Sequence, residues 1–286
     1  MGYLYISLSA LSYCIMSIFV KLAGNELMTI QIVFVRGLIT LIITFFILRY
    51  KRVTTFGHNR AVLMIRGLVG TVALFLVYES LQRLSLPEAT VIQYLYPICT
   101  ALFASLIISE HIGKILYLAI VVGLAGVYVI LDFPFLGSVI IPRLDAMIAL
   151  SGAFLTGLSY VMVKKASQLR ESPYVIMFYF PLVTVPISLL FLPGNWIVPS
   201  TSAWFYLILV GISSQLGQLF LTYGYEILPA SRAAMTSYLQ VPFSVIAGII
   251  IFNDVITINF MIGTIMILST IILIIKNDDV TVHGNP

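Results

Sequence analysis

Residues 30–48 read IQIVFVRGLITLIITFFIL, nineteen consecutive positions with one charged side chain, Arg36. As a helix rising about 1.5 Å per residue, such a run covers nearly the roughly 30 Å of a bilayer's hydrocarbon layer. It has almost no polar face to offer water, so its surroundings are lipid or other protein. Whole-chain composition agrees: of 286 residues, 60% are hydrophobic and 9% charged, and the mean hydropathy is +1.09. An ordinary water-soluble surface cannot be built from that mixture.

Nine further stretches of the same kind are bounded by charges, Gly/Pro pairs and polar clusters. In the first half they are Tyr3–Val20, Ala61–Leu81, Glu88–Ser109 and Ile115–Leu131. In the second they are Asp145–Val163, Tyr174–Leu192, Ala203–Tyr223, Ala230–Phe252 and Ile258–Ile275. The fold class expected is therefore all-α integral membrane, with ten transmembrane helices. Ten spans occupy roughly 200 positions, which leaves short loops and no room for a separate catalytic or nucleic-acid-binding domain. The net charge of +4 is read as loop topology. The first apolar run follows Met1 and Gly2 without a basic leader or a small-residue cleavage site, and is expected to be a retained span. Cys14 and Cys99 fall inside apolar runs, where a small packing role is the default.

The halves resemble each other at an offset near 143 residues: Lys21 aligns with Lys164, Tyr78-Glu79 with Tyr225-Glu226, Pro97 with Pro242, and Glu110 with Asp254. This predicts a five-helix repeat at 1–131, a linker at 132–144 carrying Pro134, Gly137 and Pro142, and a second repeat at 145–286 ending in a short tail. A repeat with an odd number of spans is inverted relative to its partner, with the substrate site at the repeat interface near mid-membrane. If the amino terminus is cytoplasmic, ten basic residues face inside, among them Arg49, Lys51, Arg52, Arg60, Lys165 and Arg170. Lys21, Arg83 and Arg143 face outside, so the positive-inside rule puts both termini in the cytoplasm.

The stretch from Phe34 to Glu110 carries a more specific pattern: Phe34-Val35-Arg36, Arg66-Gly67, Ala89-Thr90, Tyr96-Pro97 and Ser109-Glu110. Val241-Pro242 repeats the proline, and Asp254 stands where a glutamate is usual. On these residues the chain resembles the drug/metabolite transporter superfamily, in its EamA-like group of ten-span carriers, over nearly its whole length. It is similar to bacterial S-adenosylmethionine uptake transporters and to amino-acid, drug and organic-anion exporters of the same superfamily. The resemblance implies a secondary transporter in a bacterial plasma (inner) membrane, not an enzyme, working by alternating access without a cofactor. Its cargo is a small organic metabolite such as S-adenosylmethionine, an amino acid or a related amphipathic solute. An exporter of organic anions or drugs is the alternative.

Arg36 is the most informative single residue, because an unpaired charge at that depth costs several kcal/mol on insertion scales. It is expected either to pair with Glu79, as a gate or structural lock, or to contact a carboxylate or phosphate on the cargo. Arg66, one turn inside its helix, is expected to snorkel to the headgroups. Glu88 and Glu110 read as boundary residues. Polar side chains recur at helical spacing in three stretches: Thr90, Gln93, Pro97 and Thr100; Gly211, Gln215, Gln218 and Thr222; Ser237, Gln240 and Ser244. Such stripes serve as interhelical hydrogen-bond glue or line a pathway. The expected cargo-binding set is Arg36, Gln93, Tyr94, Gln215, Gln218, Tyr238 and Gln240, with kinks at Pro97 and Pro242. Pro181 and Pro186 are expected to kink their helix too.

Soluble-enzyme motifs are missing: there is no phosphate-cradling Gly loop followed by Lys-Ser/Thr, no HExxH and no CxxC. His58, His111 and His283 are too scattered in sequence for a metal site. A membrane-embedded enzyme acting on lipid-linked substrates would cluster His, Asp or Ser at one face, and a receptor or assembly subunit would carry a sizeable soluble loop. The partners expected are a small-molecule substrate and membrane lipids, with no nucleic acid, in a monomeric or weakly self-associating carrier.

Overall fold

The computed structural model describes residues 1–84, 92–130, 133, 142–194, 196–252 and 257–283. All regular structure among them is helical: α1 (Gly2–Gly24), α2 (Thr29–Tyr50), α3 (Arg60–Arg83), α4 (Tyr96–Ile108), α5 (Lys114–Ile130) and α6 (Arg143–Gln168). There follow α7 (Pro173–Phe191), α8 (Thr201–Ile227), α9 (Ala230–Thr236), a 3-10 turn at Ser237–Leu239, α10 (Gln240–Phe252) and α11 (Ile258–His283). Among the described residues, seven helices are long and apolar enough to cross a membrane, and α4 and α5 are shorter apolar helices. The protein is an integral membrane protein. Glu88, Thr90 and Asp254 lie outside the described residues.

Prolines stand where two of these helices begin. Pro242 has no N–H, and its ring crowds the carbonyl of Tyr238 four residues back, so the helical bonding lapses at that point. The chain passes from α9 through the 3-10 turn before α10 resumes. Pro97 is the second residue of α4, where its missing N–H leaves no helical bond unmade, and Tyr94 and Leu95 form a turn between helical residues 92–93 and the helix proper. In α7, by contrast, Pro181 and Pro186 sit inside a helix that runs on unbroken from Pro173 to Phe191.

The chain forms two compact units, one of residues 1–72 and 162–228, the other of residues 73–161 and 229–286. Each therefore draws on both halves of the sequence. In the first unit α1 lies along α8, and α2 packs on α7 and α8. Small residues allow the close approach of α1 and α8: a Cβ on Gly217 would stand 2.8 Å from the Tyr13 ring, and Ser9 Oγ donates to the Gly217 carbonyl at 2.8 Å. Membrane helices lack a hydrophobic drive to associate, so such fit and such hydrogen bonds hold them together.

Loop carboxylates fasten both ends of this unit. After α1, Glu26 accepts from the Ser200 N–H and hydroxyl at 2.7 Å each, at the start of α8. Those donors hold the Glu26 carboxyl below its usual range. Gln31 adds two bonds to Ile197, its Nε2 donating to the carbonyl at 2.7 Å and its Oε1 accepting from the N–H at 3.1 Å. At the other end Glu171, after α6, accepts from the N–H groups of His58 and Asn59 and from Asn59 Nδ2, just ahead of α3. Burial works to raise the Glu171 carboxyl, but the Asn59 and His58 donors outweigh it and hold the group below the usual carboxylate range. Each carboxylate also sits where a helix amino terminus favours negative charge.

In the second unit α5 packs on α11 and α9 packs on α4. The first pair meets backbone to backbone, since a Cβ on Gly126 would stand 2.9 Å from the Gly263 carbonyl oxygen. Glu110, directly after α4, accepts from the Ala230 N–H at 2.7 Å, the Ser231 N–H at 3.1 Å and the Ser231 hydroxyl, at the start of α9. It bounds its helix and also ties that helix to α9.

Candidate functional site

The first unit carries a polar interior built from α2, α3, α7 and α8. Arg36 lies on α2 with 6% of its surface exposed, inside a span. One turn on, Thr40 donates to the Gly37 carbonyl at 3.0 Å and Thr44 to the Thr40 carbonyl at 2.7 Å. Gln215 of α8 reaches across to donate from Nε2 to Thr44 Oγ1 at 2.9 Å. The hydroxyls thus satisfy themselves along α2 and still accept a neighbour's amide, which a membrane interior demands of buried polar groups.

Arg66 departs from its expected role. It is 2% exposed, among the largest fully buried side chains of the protein, and does not reach the headgroups. Its Nη2 lies 3.4 Å from Gln218 Oε1 and its guanidinium carbon 4.8 Å from the centre of the Phe180 ring. The next residue explains the direction. A Cβ on Gly67 would stand 2.7 Å from the Tyr179 carbonyl oxygen, so α3 runs against α7 at this level and Arg66 lies over Phe180 on the helix it meets. Further along the same contact the Thr71 and Thr184 hydroxyls are 2.8 Å apart, with Thr184 also donating to the Phe180 carbonyl at 2.9 Å. Gln215 and Gln218, three apart on α8, therefore bond to different helices, one to α2 and one to α3.

The second unit has a different character, with tyrosines in place of arginines. The Tyr94 and Tyr238 rings are 5.7 Å apart, and the Tyr238 hydroxyl donates to the Tyr94 carbonyl at 3.2 Å. Tyr96 meets Tyr160 edge to face at 5.4 Å, a favoured arrangement of ring quadrupoles. Gln93 Nε2 lies 3.3 Å from Thr156 Oγ1, whose hydroxyl donates to the Gly152 carbonyl at 2.8 Å. Gly123 on α5 leaves the space that the Tyr238 ring fills. Tyr94 and Tyr238 are buried and Gln240 is half-buried. Glu79 is half-exposed, and its carboxylate accepts from Arg83 Nε at 2.7 Å, one turn on; Arg83 also lies 3.4 Å from Asp145.

Of the expected residues, the structure brings Gln215 to Thr44, Gln218 to Arg66, Gln93 to Thr156 and Tyr94 to Tyr238. The inward course of Arg66 and the places of Thr44 and Tyr160 were missed. Tyr160 follows Thr156 by four residues and so shares its helical face, a signal that periodicity contains. Two concavities also occur in the second unit: one of about 100 Å³ beside Glu110, His111 and Arg232, and one of about 450 Å³ lined mainly by Leu95, Cys99, Leu150 and Phe154. Neither contains a residue of the expected cargo-binding set.

Comparison with known proteins gives these groups their setting. The chain is 26% identical to the pseudopaline exporter CntI of Pseudomonas aeruginosa, over 89% of this chain and 88% of that one. To the S-adenosylmethionine uptake transporter of Rickettsia prowazekii it is 25% identical, over 97% and 93%. A crystal structure superposes with a TM-score of 0.84 over 95% of each chain at 17% identity, a likeness of fold alone. The sequence profile of the EamA-like transporter family matches residues 1–132 and again 144–276, and with nearly the whole length so covered the chain belongs to that family, within the drug/metabolite transporter superfamily.

Proposed function

We propose that this protein is a secondary transporter that moves a small organic metabolite by alternating access, the cargo reaching its site from one side of the membrane at a time. The observation that carries the reading is the burial of Arg36 and Arg66, 6% and 2% exposed within spans, in a chain of a transporter family. Intramembrane arginines are costly, and by default they are candidates for substrate and ion paths. The cargo-binding set is Arg36, Gln215 and Gln218 in the first unit and Gln93, Tyr94, Tyr238 and Gln240 in the second, with Arg66 added. Amides orient a solute through exchangeable hydrogen bonds, and tyrosine rings suit a flat or cationic part of it.

Ten spans in two inverted five-helix repeats complete the proposal. It is supported by the two family matches, 1–132 and 144–276. The carboxylate caps add to it. Glu26, after the first helix of one half, caps the third helix of the other, and Glu171, after the first helix of the second half, caps the third helix of the first. Such reciprocity is what a two-fold relation between halves produces. We place both termini in the cytoplasm, the protein in a bacterial inner membrane, and the carrier as monomeric or weakly self-associating.

The cargo is an amphipathic metabolite of the kind the relatives' names describe, S-adenosylmethionine or an amino acid among them. Export of organic anions is the second reading, favoured by two buried cations and by the exporter among the relatives. The test is a thermal-shift screen of purified protein against metabolites of both kinds, followed by flux of each hit in liposomes. A stabilising solute that crosses saturably supports transport, and one that binds tightly yet never crosses defeats it. The direction of the gradient that drives accumulation decides between uptake and export.

A further inference from the structure

The carboxyl ends of α2 and α6 carry a feature that cargo binding does not use. Both helices end in the same motif. Val53 N–H bonds to the Leu48 carbonyl at 3.0 Å and Glu171 N–H to the Ala166 carbonyl at 3.1 Å, each closing the final turn five residues back. Such a cap needs a residue in the left-handed region, and glycine is the usual occupant. Here the residues are arginines: Arg52 at φ 54° and Arg170 at φ 60°. A side chain with a β-carbon is disfavoured in that conformation, and at both helix ends it carries a positive charge.

These ends form one surface. Glu171 binds His58 and Asn59 as described, and the Tyr179 hydroxyl donates to the Phe56 carbonyl at 2.9 Å, which seats the loop after α2 beside the loop after α6. Arg49, Lys51, Arg52, Arg60 and Arg170 are all exposed on it. Glu171 is the one acidic residue in segments 49–60 and 165–171, and it is turned inward with 5% exposure. The latch that joins the loops thus removes the only negative charge from their surface. Tyr50 and Phe56 stand out beside the cations, 84% and 54% exposed, and the Arg60 guanidinium lies 6.0 Å from the Phe56 ring centre. Cations interleaved with exposed rings at span ends match the headgroup region of a bilayer, where aromatic rings sit and phosphates are fixed.

We propose that this patch binds the headgroups of anionic phospholipids, with Arg52 and Arg170 as its principal contacts. The charge acts on the lipid phosphate, and the rings enter the interface beside it. The proposal is independent of the cargo.

The test uses the full chain purified in neutral detergent and titrated with phosphatidylglycerol, with binding read by native mass spectrometry and by thermal shift. Arg52→Gly/Arg170→Gly deletes two cations at positions glycine fits, so without lipid the variant should melt at or above the wild-type temperature. A basic residue near an anionic surface contributes about fivefold in affinity, so the double variant should bind phosphatidylglycerol roughly 30-fold more weakly. The wild-type effect should fall as salt rises. Arg49→Gln/Lys51→Gln, at ordinary helical conformations, repeats the loss without touching either turn and covers the case in which the glycine pair misfolds. Phosphatidylcholine with the same chains, and inorganic phosphate alone, complete the arms. Equal phosphatidylglycerol binding by wild type and variants overturns the proposal, as does an equal response to phosphatidylcholine. Full reproduction by free phosphate also overturns it, because the site would then recognise an ion and not a lipid surface.

Discussion

Arg36 and Arg66 are buried charges of the same sign in one unit, and their different sequence neighbours led to different expectations. Arg36 lies deep in its run, so depth alone indicated that it must face protein or water. Arg66 lies one turn from a helix end, where snorkelling is the ordinary outcome; the approach of Gly67 to Tyr179 turned it inward. If Arg36 contacts an acidic group on the cargo, Arg36→Gln removes a charge-assisted hydrogen bond of about 1.5 to 3 kcal/mol and weakens binding roughly tenfold or more. Titration of a transported solute against both proteins measures this, and an unchanged affinity would remove Arg36 from the site. Glu79→Gln should change stability by less than about 1 kcal/mol, because its bond to Arg83 is at an exposed i,i+4 pair. Glu171 makes a pH-dependent prediction. Its carboxyl is held below the ordinary range in the folded state, so its contribution is fully present above the unfolded value near 4.3 and is lost as pH falls through the lowered one. Glu171→Gln should therefore lower stability by about 1 to 2 kcal/mol at neutral pH. The gap to wild type should close under acid conditions, and melting curves from pH 7 down to about 3 would expose a gap that instead widens.

Among the elements, the helices follow hydropathy and the interruptions follow proline chemistry. Residues 230–252 were expected as one kinked helix; the structure has α9 and α10 with a 3-10 turn between them, centred on the carbonyl that Pro242 crowds. Pro181 and Pro186 lie inside α7, which continues as one helix across both. Proline's effect depends on whether neighbours re-satisfy the freed carbonyl, and residue identity alone does not decide that. Element pairing is tested at glycines. Gly263→Leu places a side chain against the Gly126 carbonyl at the α5–α11 crossing, where the contacted group is backbone and cannot move aside. Overpacking there should cost about 1 to 3 kcal/mol or more. Gly24→Ala, with no atom within 4 Å of the added carbon, should be silent within about 0.5 kcal/mol. Equal melting temperatures for the two variants would refute the crossing.

For the whole molecule, the first unit carries its own topological test. Thr54 lies in the loop that Glu171 holds beside the start of α7, and Val198, 81% exposed, lies beyond that helix's far end. A spanning α7 of 19 residues puts them on opposite sides of the membrane. In intact cells Val198→Cys should react with an impermeant maleimide while Thr54→Cys reacts only after permeabilisation, by the positive-inside rule. Labelling of both from outside would contradict the assignment. The sequence by itself determined that the chain lives in lipid, where its helices run, and that it resembles EamA-like carriers, because hydropathy and motif spacing are local properties that every residue carries with it. Only the tertiary structure decided that residues 1–72 associate with 162–228, that Gln215 answers Thr44, and that Arg66 faces Phe180. Those outcomes depend on which small residue lets which backbone approach across more than a hundred positions of sequence, and surface fit between distant segments is a property of neither segment alone.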